Sequence, residues 1–364
     1  MARKKAVEEE VASNEMEDNK ELYSVIKDIE KKHGKGSIML LGSKPKEFPH
    51  ISTGILPLDI ATGIGGFPEG RIIEIYGPEA AGKTLIALHT IAEAQRLGKA
   101  CAYVDAENAM NPDFASRIGV QTGKLWFIQP ESGEQALDIT ENLIKSGQIA
   151  VIVVDSVSAL VPQAELDGEM GDANIGLQAR LMSKAMRKLA GAANKNGTIV
   201  IFINQIREKV GVMFGNPETT TGGRALPFYA SMRLEVRKQE QIKEGKDIIG
   251  NRVKITVKKN KVGVPFKVAV FDLMFDKGAS LSGSIVDIGC EMGLIDKAGA
   301  WFSYGNEKIG QGREAAKAWL EEHPDTMMAL RDKIVQNSFG NNLDTVETPD
   351  FSDIDDETEE KETD

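Results

Sequence analysis

Four short apolar runs, Ala100 to Val104, Leu125 to Ile128, Ala150 to Val154 and Thr198 to Ile203, punctuate the middle of the chain. Each is continuous rather than alternating, which is the pattern of a strand covered on both faces. Stretches of helical period separate them, Gly133 to Lys145 and Ile175 to Asn194 among them, so strand and helix alternate from about Lys44 to Ala279. The alternation predicts an α/β fold with an open, mostly parallel sheet flanked by helices, and places ligands beyond the carboxyl ends of its strands. After Pro227 the texture becomes alternating, in Met232 to Arg237 and Arg252 to Val257, which predicts an antiparallel extension. From about Ser280 to Phe339 helical period returns in a small unit whose expected core includes Trp301, Trp319 and Leu320.

The ends differ from the middle. Residues 1 to 20 are polar, mixed in charge and without apolar period, and are expected to be disordered. From Glu21 the residues Leu22, Val25, Ile26 and Ile29 fall at i, i+3, i+4 and i+7, one apolar helical stripe that stops at His33-Gly34-Lys35-Gly36. Such a stripe docks either on the chain's own core or on a neighbouring subunit. At the other end, residues 341 to 364 carry −10 of the chain's net −11, leaving −1 for the rest. This acidic tail is expected to be disordered, serving either as a solvating segment or as an electrostatic competitor for a basic surface.

In a chain of 364 residues, 41% of them hydrophobic, there is material for at least one large core. No apolar run approaches membrane-spanning length, and Met1-Ala2-Arg3-Lys4-Lys5 is not followed by an apolar signal segment. The expectation is a soluble cytoplasmic chain with no membrane partner. The two cysteines, Cys101 and Cys290, lie far apart in core-like runs, so buried inert thiols are expected rather than a disulfide framework or a zinc cluster.

The chemistry concentrates at predicted strand ends. Gly77-Pro78-Glu79-Ala80-Ala81-Gly82-Lys83-Thr84 matches G-x-x-x-x-G-K-[ST] between a strand-like run, Arg71 to Tyr76, and a helix-like one, Leu85 to Ala92. In that context backbone N–H groups and the positive end of a helix cradle phosphates, Lys83 reaches the β- and γ-phosphates, and Thr84 holds Mg²⁺. The run Val151-Ile152-Val153-Val154 ends in Asp155-Ser156, which puts a carboxylate near the hydration shell of that Mg²⁺, the alternative being a helix cap. Another run ends in Asp105-Ala106-Glu107; one of these acids would polarise the attacking water, and Glu107 is the better placed. Asn204-Gln205 closes the next strand where a γ-phosphate would be felt.

The segment that follows, Ile206 to Arg224, carries Arg207, Lys209 and Arg224 as cations for phosphates, with Met213 and Phe214 as apolar wedges for bases. A long loop without obvious structure is usually functional or disordered. Joined to Gln205, it suggests a switch from nucleotide state to nucleic-acid binding. By contrast, Glu165 to Asp172 is acidic, and the basic residues Arg180, Lys184, Arg187 and Lys188 after it read by chemistry alone as a solvated helix face.

Together, the phosphate loop, Val153-Val154-Asp155-Ser156-Val157, Met186 to Gly191, Ile201 to Arg207 and Gly211 to Gly223 closely resemble the bacterial RecA recombinase family, from about residue 21 into the acidic tail. The resemblance implies a P-loop NTPase core of RecA type over 45 to 280. An N-terminal oligomerisation helix and arm would occupy 21 to 44, and a small C-terminal α+β domain 281 to 340. It implies a DNA-dependent ATPase that uses ATP and Mg²⁺ and polymerises on single-stranded DNA. Such a protein pairs and exchanges strands with double-stranded DNA and stimulates self-cleavage of an SOS repressor.

Residue by residue, the resemblance gives Glu107 as the base, Gln205 as the γ-phosphate sensor, and Lys259 and Lys261 as cations reaching ATP on the neighbouring subunit. Phe114 would stack on adenine, and Phe228 would pack across the subunit interface. The segments near residues 165 to 175 and 206 to 222 would be the two DNA loops, the first with Ile175, Arg180, Ser183 and Arg187 as contacts. The other would use Ile206, Arg207, Lys209, Met213, Phe214, Gly222, Gly223 and Arg224. Three positions depart from the family pattern: Asn111 stands where an acid is common near adenine, Arg224 where Asn is common, and Leu41 where Arg is frequent.

Competing readings are a ring helicase or recombination mediator on the same core, a small-molecule kinase, and a non-catalytic ATP-gated scaffold. Two isolated cysteines exclude the four-cysteine zinc module expected of a mediator. The glycine-threonine segment after Gln205 argues against a kinase, and Glu107 disfavours a scaffold.

Overall fold

A computed structural model describes residues 20–34, 37–38, 48–169, 176–208 and 218–340. Of the ends expected to be disordered, 1 to 20 and 341 to 364, all but Lys20 lie outside the described residues, as does Leu41, while Lys20 opens a helix. Helix α1 (Lys20–His33) belongs to a unit distinct from the body spanning Phe48–Leu343. Lys31, Lys32 and His33 in its last turn complement the negative end of the helix. Leu22, Tyr23 and Val25 on it are exposed.

In chain order, the body begins with β1 (His50–Ile51), α2 (Leu56–Thr62) and β2 (Phe67–Pro68). The nucleotide-loop region follows as β3 (Ile72–Gly77), α3 (Lys83–Arg96) and β4 (Ala100–Asp105). Next come α4 (Pro112–Arg117), β5 (Leu125–Ile128), α5 (Gly133–Lys145) and β6 (Ile149–Asp155). The short α6 (Gln163–Leu166) and the long α7 (Leu177–Asn196) lead to β7 (Ile199–Glu208), β8 (Glu218–Thr220) and α8 (Ala225–Tyr229). Strands β9 (Met232–Glu244), β10 (Asp247–Asn260), β11 (Val268–Met274) and β12 (Gly278–Ala279) complete the large sheet. The C-terminal part is α9 (Leu281–Glu291), a sheet of β13 (Asp296–Ala298), β14 (Trp301–Tyr304) and β15 (Glu307–Gln311), then α10 (Arg313–Glu322) and α11 (Pro324–Phe339).

The large sheet runs β12-β11-β10-β9-β3-β7-β6-β4-β5. From β9 to β5 every pairing is parallel, and from β9 to β12 every pairing is antiparallel, as the two textures of the sequence predict. Both faces are apolar because alternate residues point to opposite sides. Ile199, Ile201 and Ile203 join Ile73, Ile75 and α3 on one face, while Val200 and Phe202 join Ile152, Val154 and α7 on the other. Each such side chain taken from water stabilises the fold by about 1.5–3 kcal/mol.

A third cluster, Ile285, Val286, Phe302, Leu320, Leu330 and Ile334, forms the C-terminal core and takes in Leu56. Buried Asp272 of β11 ties this part to the sheet, accepting from Arg252 at 2.9 Å and Arg313 at 2.6 Å. A buried carboxylate needs such partners to remain charged.

Four expectations are corrected. Trp301 is exposed, because period-two alternation on β14 turns Phe302 inward and its neighbour outward. Strand β5 is not covered on both faces, because it lies at the sheet edge, where Trp126 and Phe127 stay exposed, whereas the C-terminal unit is the expected α+β domain with a three-stranded antiparallel sheet. Cys101 is buried, its thiol pushed up to about 12 by that burial, but Cys290 is only half-buried. Finally, β7 does not stop at Ile203. It runs on to Glu208, paired first with β3 and then with β8, so Ile206 and Arg207 lie in a strand and Thr219 and Thr220 in its partner.

Candidate functional site

Parallel register brings the loaded residues to one edge. Gly77, the last residue of β3, pairs with Gln205 of β7, and Asp105 of β4 pairs with Asp155 of β6. The phosphate loop leaves β3 at that edge and enters α3 through Gly82, whose φ of 96° is left-handed. A side chain there would be strained, and its Cβ would sit 2.5 Å from Leu273 Cδ2. At Gly77 a Cβ would lie 2.3 Å from the Val236 carbonyl oxygen, so close strand packing also requires glycine. Alternation of backbone hand through Ala80 (φ 53°) and Gly82 makes the concave turn that receives anions.

Lys83 is buried and spans this loop, donating to the carbonyls of Gly77 at 3.1 Å and Pro78 at 2.7 Å. Burial lowers its pKa, opposed by the nearby carboxylates of Asp155, Glu107 and Glu79. Asp155 is also buried, and burial raises its pKa; hydrogen bonds from Tyr103 and Thr84 oppose the rise, and Glu107 and Asp105 reinforce it. Thr84 Oγ1 and Tyr103 Oη donate to the same oxygen, Asp155 Oδ2, at 2.8 and 2.7 Å. An ammonium and a carboxylate both stripped of water fit a ligand bringing phosphate oxygens to one and a hard cation to the other. Hydroxyl and carboxylate oxygens are the donors Mg²⁺ takes. Among the described residues no cluster of three or more His, Cys, Asp or Glu could by itself hold a metal ion.

Asp105 and Glu107, the latter preferred from sequence, differ in their partners. Asp105 is buried and shapes the following turn, accepting from the backbone N–H groups of Ala109 at 3.2 Å and Met110 at 3.1 Å. Glu107 lies past the strand end and accepts at one oxygen from Ser156 Oγ and from Gln205 Nε2, the latter at 2.9 Å. Ser156 also bonds Ser158, so its hydroxyl faces Glu107 rather than the Thr84–Asp155 pair.

Gln205 is anchored behind: its N–H donates to Asn204 Oδ1 at 2.9 Å. Buried Asn204 donates in turn to Glu74 Oε1 and to the Thr221 carbonyl, both at 3.0 Å, and accepts from Thr221 Oγ1. The segment returning from β8 is thereby fastened to β7. Gly222 and Gly223, both left-handed, pack it down: Cβ atoms there would meet Val157 Cγ1 at 2.7 Å and Ala179 Cβ at 2.9 Å. The segment after β8 therefore packs against the start of α7.

Along α7, Arg180, Lys184 and Arg187 are exposed at i, i+4 and i+7, while Ser183 is half-buried and its carbonyl accepts from Arg187 Nε at 3.3 Å. Lys188 leaves that set, being paired with Glu141 of α5 at 3.0 Å. Arg207 and Arg224 are exposed and Ile206 half-buried. Ile175, Lys209, Met213 and Phe214 lie outside the described residues.

Phe114 is half-buried, with the Arg117 guanidinium 5.9 Å from its ring centre. Asn111, the departure beside it, caps α4 by accepting from the Phe114 N–H at 3.0 Å.

Lys259 and Lys261 lie at the end of β10 and just after it, with β9 between β10 and the loop-bearing β3. Lys259 Nζ donates to the carbonyls of Pro227 and Phe228, each at 2.8 Å, and the Phe228 ring is 72% exposed. Burial lowers the Lys259 pKa to about 8, helped by Lys261 and Arg233 and opposed by Glu74.

Sequence reasoning missed Tyr103, which holds Asp155, and Glu74, which holds Asn204. Glu74 did leave a signal: a carboxylate in the middle of the apolar run Ile72 to Ile75.

An open sheet with a Gly-Lys-Thr loop at the carboxyl end of its central strand defines a phosphate-loop nucleotide-binding protein. The family description "RecA N-terminal domain" matches residues 20–280, and "RecA C-terminal domain" matches 283–338. The chain is 58% identical to Protein RecA of Limosilactobacillus reuteri (strain DSM 20016) over 310 residues, 85% of this chain and 86% of that one. It is 56% identical to Protein RecA of Lactiplantibacillus plantarum over 340 residues, 93% and 88% of the two chains. For Protein RecA of Enterococcus faecalis the figures are 57% over 320 residues, 88% and 92%. A solved structure, that of the RadB recombinase, superposes with a TM-score of 0.49 at 24% identity, covering 63% of this chain and 98% of that one. The chain belongs to the RecA family of recombinases and is a nucleotide-binding, DNA-dependent ATPase.

Proposed function

We propose that this protein binds ATP with Mg²⁺, polymerises as a helical filament on single-stranded DNA, and exchanges strands with a homologous duplex. In this reading it acts in the cytoplasm and, as a filament, stimulates self-cleavage of an SOS repressor. The observation that carries the reading is the 2.9 Å hydrogen bond from Gln205 to Glu107. It joins the carboxylate placed to activate water to the strand that leads into the DNA segment.

Each group has a physical task. Residues Gly77 to Thr84 cradle the phosphates, with Lys83 on the β- and γ-phosphate oxygens. Thr84 would hold Mg²⁺ directly and Asp155 through water; bound there, the ion would neutralise charge on the phosphates. Glu107 takes the proton of the attacking water, and Ser156 and Gln205 orient its carboxylate. Phe114 offers a ring to the adenine. Gln205 exchanges its contact with Glu107 for the γ-phosphate and so transmits nucleotide state to β7 and the segment beyond.

Exposed Phe228, the exposed Leu22 and Val25 of the α1 stripe, and Lys259 and Lys261 suit contact with a second copy, where the two ammonium groups would meet the neighbour's phosphates. Arg180, Arg187, Arg207 and Arg224 present cations to DNA phosphates. Ser183, Ile206, Gly222 and Gly223, with Ile175, Lys209, Met213 and Phe214, complete the two DNA segments.

Electron microscopy of the protein with ATP and single-stranded DNA tests the assembly: helical filaments are expected, and closed rings would return the chain to a helicase-like role. The Gln205→Ala variant tests the switch. ATP should tighten single-stranded DNA binding by about tenfold or more in the parent and hardly at all in the variant. An unchanged ATP effect would remove Gln205 as sensor.

Lys259 gives a pH signature. Its charge is lost as pH rises through about 8, so DNA-stimulated turnover should fall along an alkaline limb beginning there. Lys259→Arg should remove that limb, since a guanidinium stays charged. Because the folded-state pKa lies below the ordinary 10.5, the unfolded chain binds more protons between the two values, and stability should rise with pH across that window.

A further inference from the structure

A row of polar residues crosses four strands of an otherwise apolar sheet. Lys259 of β10 pairs in register with Arg233 of β9, and Arg233 pairs in register with Glu74 of β3. Glu74 is fully buried and uses both oxygens: Oε2 accepts from Arg233 Nε, and Oε1 from Asn204 Nδ2 of β7. The Arg233 guanidinium also lies over the Tyr76 ring, 4.6 Å from its centre, which holds it flat between the strands. The row ends on Asn204, whose Oδ1 takes both the Gln205 N–H and the Thr221 hydroxyl. Its far end is the Lys259 ammonium, which grips the last carbonyls of α8 beneath Phe228.

Strand register does not explain this row. Ile73 and Ile75 on β3, Ile201 and Ile203 on β7 and Leu234 on β9 are fully buried or nearly so, and a one-residue slip would turn them to the wrong face. A buried ion pair is also a poor source of stability, because desolvation offsets its attraction and an apolar pair of similar volume often does as well. What the pair adds is direction: it fixes Arg233 relative to Asn204 through a single carboxylate. If Arg233 or Asn204 moves, the fully buried Glu74 carboxylate loses a hydrogen-bond partner, which costs about 1–3 kcal/mol for a neutral group and more for a charged one.

We infer that Glu74 is a positioning residue that couples Arg233, and through its charge the neighbouring Lys259 proposed to face a second copy, to the nucleotide sensor Gln205 and the Thr221 end of the DNA segment. Through it, contact of Lys259 with a neighbouring copy's phosphates would be felt at the chain's own sensor, and DNA at Thr221 would be felt at the subunit face. The inference rests on the proposed roles of Gln205 and Lys259 and adds the link between them. Proximity along the row is consistent with Glu74 partly offsetting the pKa depression of Lys259.

The test is Glu74→Gln, which keeps the volume and an acceptor oxygen but removes the charge that binds Arg233. Fluorescence anisotropy of a labelled oligo(dT) strand, with and without ATP, reads the coupling; a fluorescent ATP analogue without DNA reads the nucleotide site. The expected result is intact nucleotide binding with the ATP enhancement of DNA affinity reduced by about fivefold or more, and a Hill coefficient for ATP turnover falling towards one. A purely structural role would lower the melting temperature and leave the ATP enhancement unchanged, which would overturn the inference. Should Glu74→Gln fail to fold, Arg233→Lys is read the same way: it keeps the charge at a partly exposed side chain and loses the fixed planar geometry. Full coupling in that variant would equally overturn it. An ATP effect missing from the parent chain itself would instead remove the sensor reading on which the inference stands.

Discussion

Lys83→Ala should abolish ATP turnover, lowering DNA-stimulated kcat by at least about 10²–10³-fold, the usual effect of removing a preorganised group that stabilises developing charge. The reason is positional. Lys83 opens α3, is 8% exposed, and is held across the loop by the Gly77 and Pro78 carbonyls, so its charge is delivered where phosphate oxygens would lie. No other lysine or arginine stands among the eight loop residues. Alanine is the best helix former, so α3 should persist, and the melting temperature should separate loss of chemistry from loss of fold. Phosphate release with saturating single-stranded DNA is the measurement. Turnover at the parent rate would remove the phosphate-loop assignment.

Glu107→Gln should separate binding from hydrolysis. A positioned general base contributes about 10²–10⁴-fold, so kcat should fall by that much. Gln205 and Ser156 can still donate to the amide oxygen that replaces the carboxylate oxygen they now share, so the strand end keeps its shape. ATP should still bind and still tighten DNA binding, and filaments should persist longer because the nucleotide is not consumed. Parallel loss of ATP binding and turnover would make Glu107 structural. Undiminished turnover would place the base elsewhere, though Asp105 is already committed to the backbone of its own turn.

Much of this architecture is legible in the sequence. The helix Gly133–Lys145 has the predicted bounds because burial on one stripe leaves a regular apolar pattern, and the run Leu125–Ile128 has them too although it is an edge strand whose Trp126 and Phe127 stay exposed. The extension of β7 through Asn204, Gln205, Ile206, Arg207 and Glu208 was not legible. What holds that stretch is backbone pairing with β3 and β8, and side-chain polarity does not report backbone pairing. Trp301 misled for the opposite reason: a large aromatic suggests core, but pleat parity on a short strand decides the side.

The candidate site divides in the same way. The sequence by itself determined what is contiguous: the loop Gly77 to Thr84, the acids that close two apolar strands, Gln205 after a third, and through their combination the family. Local chemistry of this kind needs no distant partner to be recognised. Only the tertiary structure decided which groups meet. Glu107 finds Ser156 49 residues away and Gln205 98 away, while Glu74 finds Asn204 130 away and Arg233 159 away. Those distances are closed by parallel strand register, which the packed core sets by burying one parity of each strand on each face. No local pattern carries that information, so the residues that position Gln205 emerge only once the strands lie side by side.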